Sequence, residues 1–246
     1  TLRAAYSRTL GGVNFDESVR LEPAQLAGFG QAYRSVIPES LVGSVAAPTF
    51  EVMGLAVDFK LPCNIYYGLE VERIDSEVDQ ALGAITVPPQ SMTLGANSRV
   101  RESIDYREQR VGFTLNHLVD DEWSIGCSYH FTRSEISQSL HDDRAGDLHR
   151  LAQFIRFNHP SGLFAVEELS YYIQNNEGYD PGTAEHEGDH FPMLNVGIGY
   201  RLRRQAAAIT LSLLNLTDED YQLNPLTPYA EMPRERAFQL RLELRF

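Results

Sequence analysis

The final segment of the chain, residues 237–246, constrains the fold more than any other stretch. Phe238, Leu240, Leu242, Leu244 and Phe246 are apolar, and the residues between them are polar or charged. This period-two alternation places the apolar side chains on one face of a β-strand and the charged ones on the other. A strand that alternates up to a terminal aromatic residue is typical of a transmembrane β-barrel. An edge strand of a soluble β-sandwich can carry the same pattern, so this segment alone leaves both architectures open.

The same alternation recurs along the chain and predicts ten strands. They are expected at residues 1–9, 50–61, 65–72, 110–116, 123–132, 148–157, 163–174, 194–203, 209–213 and 238–246. The alternation is weaker in the sixth and seventh of these strands, where we expect a β-bulge or a change of register. The pattern predicts an all-β fold, a transmembrane antiparallel β-barrel with about ten strands in this chain.

The connections between these strands alternate in length. Short turns are predicted near residues 62, 121, 160 and 204, and longer polar connections at 10–48, 78–101, 139–147, 176–190 and 217–235. Bacterial outer-membrane barrels have this asymmetry, with short periplasmic turns and long extracellular loops. The longest connection, 10–48, contains a stretch at 25–37 that is either an extra strand or a loop folded inwards.

Composition restricts the class of protein further. Only 43% of the residues are hydrophobic. The sequence has no run of eighteen apolar residues, so it predicts no transmembrane helix; a β-barrel does not need one. The formal net charge of −13 argues against nucleic acid as a partner. Nothing at the N-terminus resembles a signal peptide. We therefore expect that the signal has been removed or that the chain is a piece of a longer protein.

The C-terminal region carries a family resemblance. The stretch from Asn215 to Tyr221, Asn-Leu-Thr-Asp-Glu-Asp-Tyr, is followed by Pro-Arg-Glu-Arg-Ala-Phe at 233–238 and by the terminal Phe246. This order of elements resembles the C-terminal end of TonB-dependent receptors. The segments 2–8 and 48–55 also resemble barrel strands of that family. The resemblance covers the whole chain but is specific only in its C-terminal part.

The resemblance implies a fold, a location and partners. It implies a barrel of about 22 strands with an N-terminal plug and a TonB box. No plug-like segment is present, so residues 1–246 are expected to be one segment of a larger outer-membrane barrel. Outer-membrane lipid, the barrel-assembly machinery and TonB, reached through a missing N-terminal region, are the implied partners. Phe246 would be the assembly signal.

The candidate functional residues are the charged side chains at the polar positions of the alternating strands. Those expected to face the lumen are Lys60, Glu70, Glu72, Arg110, His130, Arg156, Arg201, Arg203, Arg241, Glu243 and Arg245. Charges inside a barrel either pair and brace the wall, or steer a charged solute. Because both signs are present, pairing is the favoured interpretation.

Other chemistry has weaker support. His186 and His190, with acidic residues around them, are weak candidates for metal ligands in an external loop. A solvated acidic loop explains them better, so no metal and no cofactor are predicted. No Ser/His/Asp or Cys/His arrangement and no phosphate-binding glycine loop is present, and the chain is not expected to be an enzyme.

The predicted function is therefore transport across the bacterial outer membrane, of a solute or a metal chelate, by a TonB-dependent-receptor-like barrel. One alternative is a passive porin or an export pore for a polymer such as an exopolysaccharide. A second alternative, from a different class, is a soluble all-β binding domain.

Overall fold

The protein forms one large antiparallel β-sheet. The computed structural model describes residues 1–10, 25–26, 29–30, 49–85, 97–138, 141–178, 187–202, 207–221 and 235–244. Within them ten strands join in a single sheet, and two very short strands form a separate hairpin. The predicted all-β class and the ten strands are confirmed.

The strands follow the chain with only one insertion in the order. They are β1 (Leu2–Leu10), β2 (Gln25–Leu26), β3 (Phe29–Gly30), β4 (Thr49–Leu61), β5 (Ile65–Ile85), β6 (Asn97–Leu118), β7 (Trp123–Gln138), β8 (His141–Asn158), β9 (Leu163–Glu177), β10 (Gly188–Arg201), β11 (Ala207–Leu214) and β12 (Ala237–Leu244). The large sheet has the order β1-β4-β5-β6-β7-β8-β9-β10-β11-β12, and β2 pairs only with β3. Each strand of the sheet therefore pairs with its neighbours along the chain.

The sheet is open in the described part of the chain. β1 pairs with β4 and β12 pairs with β11, and these two strands are the edges of the sheet. The predicted closure into a barrel is thus not seen among these residues.

The described residues contain no helix that is long and apolar enough to cross a membrane.

Local chemistry explains the short turns at one end of the sheet. The turn Pro62–Asn64 begins with proline, and both Cys63 and Asn64 have positive φ angles. Before β7, the Asp120 carboxylate accepts hydrogen bonds from the backbone N–H groups of Glu122 (2.8 Å) and Trp123 (2.7 Å). This side-chain acceptor replaces a backbone partner and closes the turn. The predictions near residues 62, 121 and 160 are confirmed.

At the opposite end of the sheet the strands continue further than the apolar pattern indicates. β5 and β6 remain paired up to Ile85 and Asn97, so the connection predicted at 78–101 is shorter. The connection predicted at 139–147 is wrong, because β8 begins at His141. The β-bulge expected between the sixth and seventh strands is also absent, since β8 and β9 pair without a break from Ala145 to Asn158. A register shift occurs instead between β7 and β8.

The faces of the sheet differ from those of a soluble protein, because the exposed face is largely apolar and the other face buries charged as well as apolar side chains. On the polar face, charged side chains such as Glu72 and Glu108 are each only 2% exposed. On the apolar face, Leu55, Leu69 and Leu211 are about half exposed to solvent. Buried side chains on one face and exposed ones on the other are typical of a sheet that curves towards the first face.

The register also shows that the strands are staggered. A single row of directly paired residues crosses nine strands and consists of Leu61, Ile65, His117, Ile125, Ile155, Glu167, Val196, Leu213 and Phe238. Leu61 is the last residue of β4, beside a short turn, whereas Phe238 lies beside the long connection before β12. The short-turn ends therefore step by about one residue per strand, which corresponds to a strand tilt of roughly 35–40°.

Candidate functional site

Large apolar side chains cover the apolar face from β1 to β12, and we call this surface the apolar belt. Its exposed members include Leu55, Leu69, Phe113, Ile125, Leu151, Leu169, Ile198, Leu211 and Leu240. On β7 the belt runs from Trp123 to Phe131, about 27 Å along the strand. Each large apolar side chain left in water forgoes about 1.5–3 kcal/mol of burial free energy. An exposed apolar surface of this extent is typical of a contact with a membrane or with another protein.

Beyond the belt, towards the long connections, the apolar face becomes charged, and we call this zone the charged collar. On β5 the change occurs between Val71 and Arg73. The ion pairs of the collar are Arg8–Glu51 (3.3 Å), Arg73–Asp75 (2.6 Å), Arg107–Asp75 (3.1 Å), Arg133–Glu135 (2.8 Å) and Arg133–Asp147 (3.2 Å). The collar thus marks the limit of the apolar surface on one side.

Asp75 is the centre of the collar on β5. Its carboxylate accepts hydrogen bonds from Arg73 Nε at 2.6 Å and from Arg107 Nε at 3.1 Å. The hydrogen bond from Arg73, supported by that from Arg107, holds the pKa of the Asp75 carboxyl below its usual value. The carboxylate form is therefore favoured in the folded state.

An ionic cluster lies on the polar face where β5, β6 and β7 meet. Arg110 Nη2 lies 2.9 Å from Glu70 Oε1 and 3.4 Å from Glu72 Oε2. His130 Nε2 lies 3.5 Å from the same Glu70 oxygen. Arg110 is 7% exposed and Glu72 is 2% exposed, so the charges are held in a largely desolvated environment. Four of the predicted lumen residues are brought together here, in an arrangement that braces three strands.

Glycine makes room for this cluster. A Cβ atom at Gly112 would lie 2.7 Å from Glu70 Cγ and 2.9 Å from His130 Cδ2. Both side chains therefore lean over Gly112 from the neighbouring strands. Similar close approaches occur at Gly126, beneath the ring of Phe154, and at Gly199, beneath the ring of Phe164. The absence of a side chain at these positions permits dense packing on the polar face.

Three cations near the short turns have a different environment. Lys60 Nζ lies 5.3 Å from the centre of the Tyr66 ring, Arg156 lies over Phe154, and Arg201 lies over Phe164. Arg201 also donates a hydrogen bond to the Asn158 side-chain oxygen at 2.7 Å. In the described part of the chain, no acidic group lies within 4 Å of these three cations. They are the candidates on the polar face for steering an anion.

The remaining predicted residues separate into two groups. Arg241 and Glu243 lie on β12 and, by register with Thr210 and Ala208, on the polar face. His190 lies exposed on β10 opposite Ile173, and therefore on the apolar side of the sheet. Arg203, Arg245, Phe246 and His186 lie outside the described residues.

Sequence reasoning missed two polar-face contacts. Arg150 Nη2 lies 2.8 Å from Glu168 Oε1, which links β8 to β9. The Tyr106 hydroxyl donates to Glu108 Oε2 at 2.5 Å, where both residues are buried. The alternation could have placed Tyr106 and Glu108 on the polar face, since they lie four and two residues before Arg110 on β6. Their strand was predicted to begin only at residue 110.

The stretch from Asn215 to Tyr221 forms a turn that side-chain hydrogen bonds hold together. Asn215 is 5% exposed and has a φ of 51°. Its side-chain amide donates to the Glu219 carbonyl oxygen at 2.7 Å, and its side-chain oxygen accepts from the Glu219 N–H at 3.2 Å. Asparagine tolerates the left-handed backbone that this turn requires. Its side chain thus replaces backbone partners as the chain leaves β11.

Tyr221 ends this turn in an aromatic stack. Its ring lies 4.6 Å from the Phe191 ring at an angle of 14°, and Phe191 lies 4.9 Å from the Tyr172 ring. Phe191 is 3% exposed and Tyr172 is 7% exposed. The stack fixes the start of the long connection against β9 and β10 on the polar face.

Comparison with known proteins identifies no relative: no protein-family model, no curated protein and no solved structure matches the chain. Among the described residues, no group of three or more His, Cys, Asp and Glu side chains is placed to hold a metal ion.

Proposed function

We propose that this chain forms part of the wall of an outer-membrane transport barrel of the TonB-dependent-receptor type, through which a solute or metal chelate crosses. The observation that carries the proposal is the apolar belt on the exposed face of the sheet, opposite a face on which charged side chains are buried. The apolar belt would face lipid and the polar face would line the lumen, as in outer-membrane barrels.

The stagger of the strands supports the same conclusion independently. A sheet closes into a barrel only when its strands tilt and their register shifts steadily. The row from Leu61 to Phe238 shifts by about one residue per strand, in the range expected for such closure. Additional strands paired with the free edges of β1 and β12 would complete the barrel.

The unequal ends of the sheet favour one orientation. The short turns, such as Pro62–Asn64, would face the periplasm, and the charged collar would lie at the headgroups of the outer leaflet. Both the ionic cluster around Arg110 and the three cations near the short turns would then line the passage. The cluster would brace the wall, and Lys60, Arg156 and Arg201 would meet the solute near the periplasmic mouth.

The two alternative functions predict different properties of the protein. A passive porin or polymer export pore would have the same wall but a permanently open passage. A soluble all-β binding domain would leave the apolar belt in water, although the largest apolar patch on a typical soluble monomer is only about 300–600 Å².

The test uses Trp123, the single tryptophan of this sequence, which lies at the short-turn edge of the belt. The protein as it occurs in the cell is extracted and reconstituted in vesicles of bromine-labelled lipid, with Trp123→Phe as the control for other fluorescence. We expect quenching of the Trp123-dependent emission, strongest with bromine near the headgroups. Emission insensitive to brominated lipid, with the protein in the aqueous fraction without detergent, would exclude the barrel.

Transport mode is tested on the same vesicles. A receptor-type barrel with its passage closed does not let raffinose enter, whereas a passive porin causes rapid swelling of vesicles in raffinose. Fast swelling would therefore favour the porin over the receptor-type transporter.

A further inference from the structure

Three cations of the polar face lie at the short-turn edge of the sheet, and we call them the rim cations. They are Lys60, Arg156 and Arg201, each within the last three residues of its strand. The short-turn ends step by about one residue per strand, so in a barrel with tilted strands these positions have a similar height. The stagger of the sheet would therefore gather the rim cations around one mouth of the passage.

The rim cations differ from the arginines that lie further from the short turns on the polar face. Arg3, Arg110 and Arg150 lie 2.8, 2.9 and 2.8 Å from a carboxylate oxygen. In the described part of the chain, the rim cations on β4 and β8 have neither a hydrogen bond nor an ion pair, and the Arg201 guanidinium donates to the uncharged Asn158. The rim thus keeps positive charge that the described carboxylates do not compensate.

Acidic residues occur near the rim, but they do not pair with its cations. Asp58 and Glu168 each have an arginine partner at 2.8 Å. Glu243 lies two strands away from Arg201, on the edge strand β12. Asp120 to Glu122 form the turn before β7, where the Asp120 carboxylate is bound to backbone N–H groups.

Aromatic rings hold two of the guanidinium groups in place. Arg201 lies 4.1 Å from the centre of the Phe164 ring, and this ring lies on Gly199, where a Cβ atom would be 2.3 Å from it. Arg156 lies 4.8 Å from the centre of the Phe154 ring, which lies over a second glycine. A guanidinium over a ring keeps the N–H donors at its edge, and these fit the oxygens of a carboxylate or a phosphate.

We propose that the transported solute is an anion, and that its carboxylate or phosphate groups bind the rim cations as it passes the short-turn mouth. Fixed positive groups that line a cleft raise the local concentration and the binding rate of anions by about ten- to a thousandfold. The inference rests on the proposed function, because the polar face lines a passage only if the sheet is a barrel wall.

A cysteine between the two arginines measures the charge of the rim directly. Val166 lies on the polar face of β9, directly opposite Arg156 and two residues from Phe164. The full protein with Val166→Cys, Cys63→Ser and Cys127→Ser is placed in lipid discs, which leave both sides open to reagents. Its reaction rates with a sulfonate and a trimethylammonium methanethiosulfonate are measured, each divided by the rate with free cysteine. We expect the anionic reagent to be favoured by about tenfold.

Substitutions then identify the source of this preference. Arg156→Gln combined with Arg201→Gln should remove most of it. The matched control, Arg73→Gln with Arg107→Gln, makes the same change of charge on the apolar face and should keep the preference. Citrate and inorganic phosphate, at constant ionic strength, should slow the reaction of the Val166→Cys thiol with the uncharged N-ethylmaleimide, whereas raffinose should not.

Four results in lipid discs would overturn the inference: equal normalised rates, no reaction with either reagent, a preference that survives the paired rim substitutions, or no protection by either oxyanion. A thiol that reacts in discs but is shielded from all reagents in intact outer membranes would assign the rim to an acidic protein segment instead. Any of these results with Trp123 still quenched by brominated lipid would remove the anionic solute alone. Loss of that quenching would remove the barrel itself.

Discussion

Asp218 and Arg236 join the two ends of the long connection between β11 and β12. The backbone N–H of Arg236 donates to Asp218 Oδ1 at 3.1 Å, and its guanidinium lies 3.4 Å from Asp218 Oδ2. Both residues belong to the segments that resemble TonB-dependent receptors. The contact holds the edge strand β12 in place at the point where β11 ends.

Substitution of Asp218 should weaken this junction in a graded way. Asp218 has a φ of 60°, which asparagine tolerates and alanine does not. Asp218→Ala is therefore expected to lower the free energy of unfolding by about 1–2 kcal/mol, through backbone strain and the lost acceptor. Asp218→Asn keeps an acceptor and should lose less than half of that. Urea unfolding in lipid vesicles measures both, and equal losses would contradict this account.

The glycines of the polar face should differ in their tolerance of alanine. At Gly199 a Cβ atom would lie 2.3 Å from Phe164 Cζ and 2.5 Å from the Ile209 carbonyl oxygen. Because the carbonyl belongs to the backbone, Gly199→Ala is expected to cost about 1–3 kcal/mol.

Gly112→Ala is the comparison variant. Its Cβ atom would meet only side-chain atoms, Glu70 Cγ at 2.7 Å and His130 Cδ2 at 2.9 Å, which shift more easily than a backbone carbonyl, so it should cost less. Adding Phe164→Leu to Gly199→Ala should relieve only part of the loss, since the Ile209 carbonyl remains. The unfolding midpoints of the three variants decide this, and a neutral Gly199→Ala would refute it.

The sequence pattern predicts the strands well only where the two faces of the sheet differ. Within the apolar belt, alternation located the turns near residues 62, 121 and 160 and the number of strands. From His141 to Asp147 the residues of β8 are polar or small on both faces, so β8 was not expected to begin as early as His141. Backbone hydrogen bonds maintain the ladder there, and they leave no periodic signature in side-chain polarity.

The sequence predicted which residues lie on the polar face better than it predicted which of them are in contact. Parity places Glu70 and Arg110 on one face, but their 2.9 Å contact depends on the register between β5 and β6. That register follows from the stagger of the whole sheet, which no single strand encodes. The same reason explains why the Arg150–Glu168 pair was not anticipated.

Arg110 should be the most important cation of the polar face for stability. Replacing it by methionine leaves Glu70 and Glu72 without their nearest positive charge, in a region where Glu72 is 2% exposed. Removing one partner of a buried ion pair typically costs about 3–5 kcal/mol. Arg110→Met is therefore expected to unfold at markedly lower urea concentration.

Arg201→Met is the matched control. Arg201 contacts the uncharged Asn158 and Phe164, so its loss leaves no buried carboxylate and should cost at most about 1.5 kcal/mol. Adding Glu72→Gln to Arg110→Met should recover part of the lost stability. Equal effects of the two arginine variants would show that the cluster does not brace the wall.

The charged collar should make stability depend on pH through Asp75. Its folded-state pKa lies below the ordinary value of 3.8, chiefly because of the hydrogen bond from Arg73. The contribution of the Asp75 carboxylate to the free energy of unfolding is therefore complete above the unfolded-state pKa. It is lost as the pH falls through the lower folded-state value. Asp75→Asn should lower the free energy of unfolding at pH 7 by about 0.5–1 kcal/mol, and the difference from the unmodified protein should shrink towards zero in strong acid. Glu77→Gln, on the same strand and without an ion pair in the described residues, should change little at any pH. A difference between Asp75→Asn and the parent that persists unchanged in strong acid would show that the carboxylate charge is not what stabilises the collar.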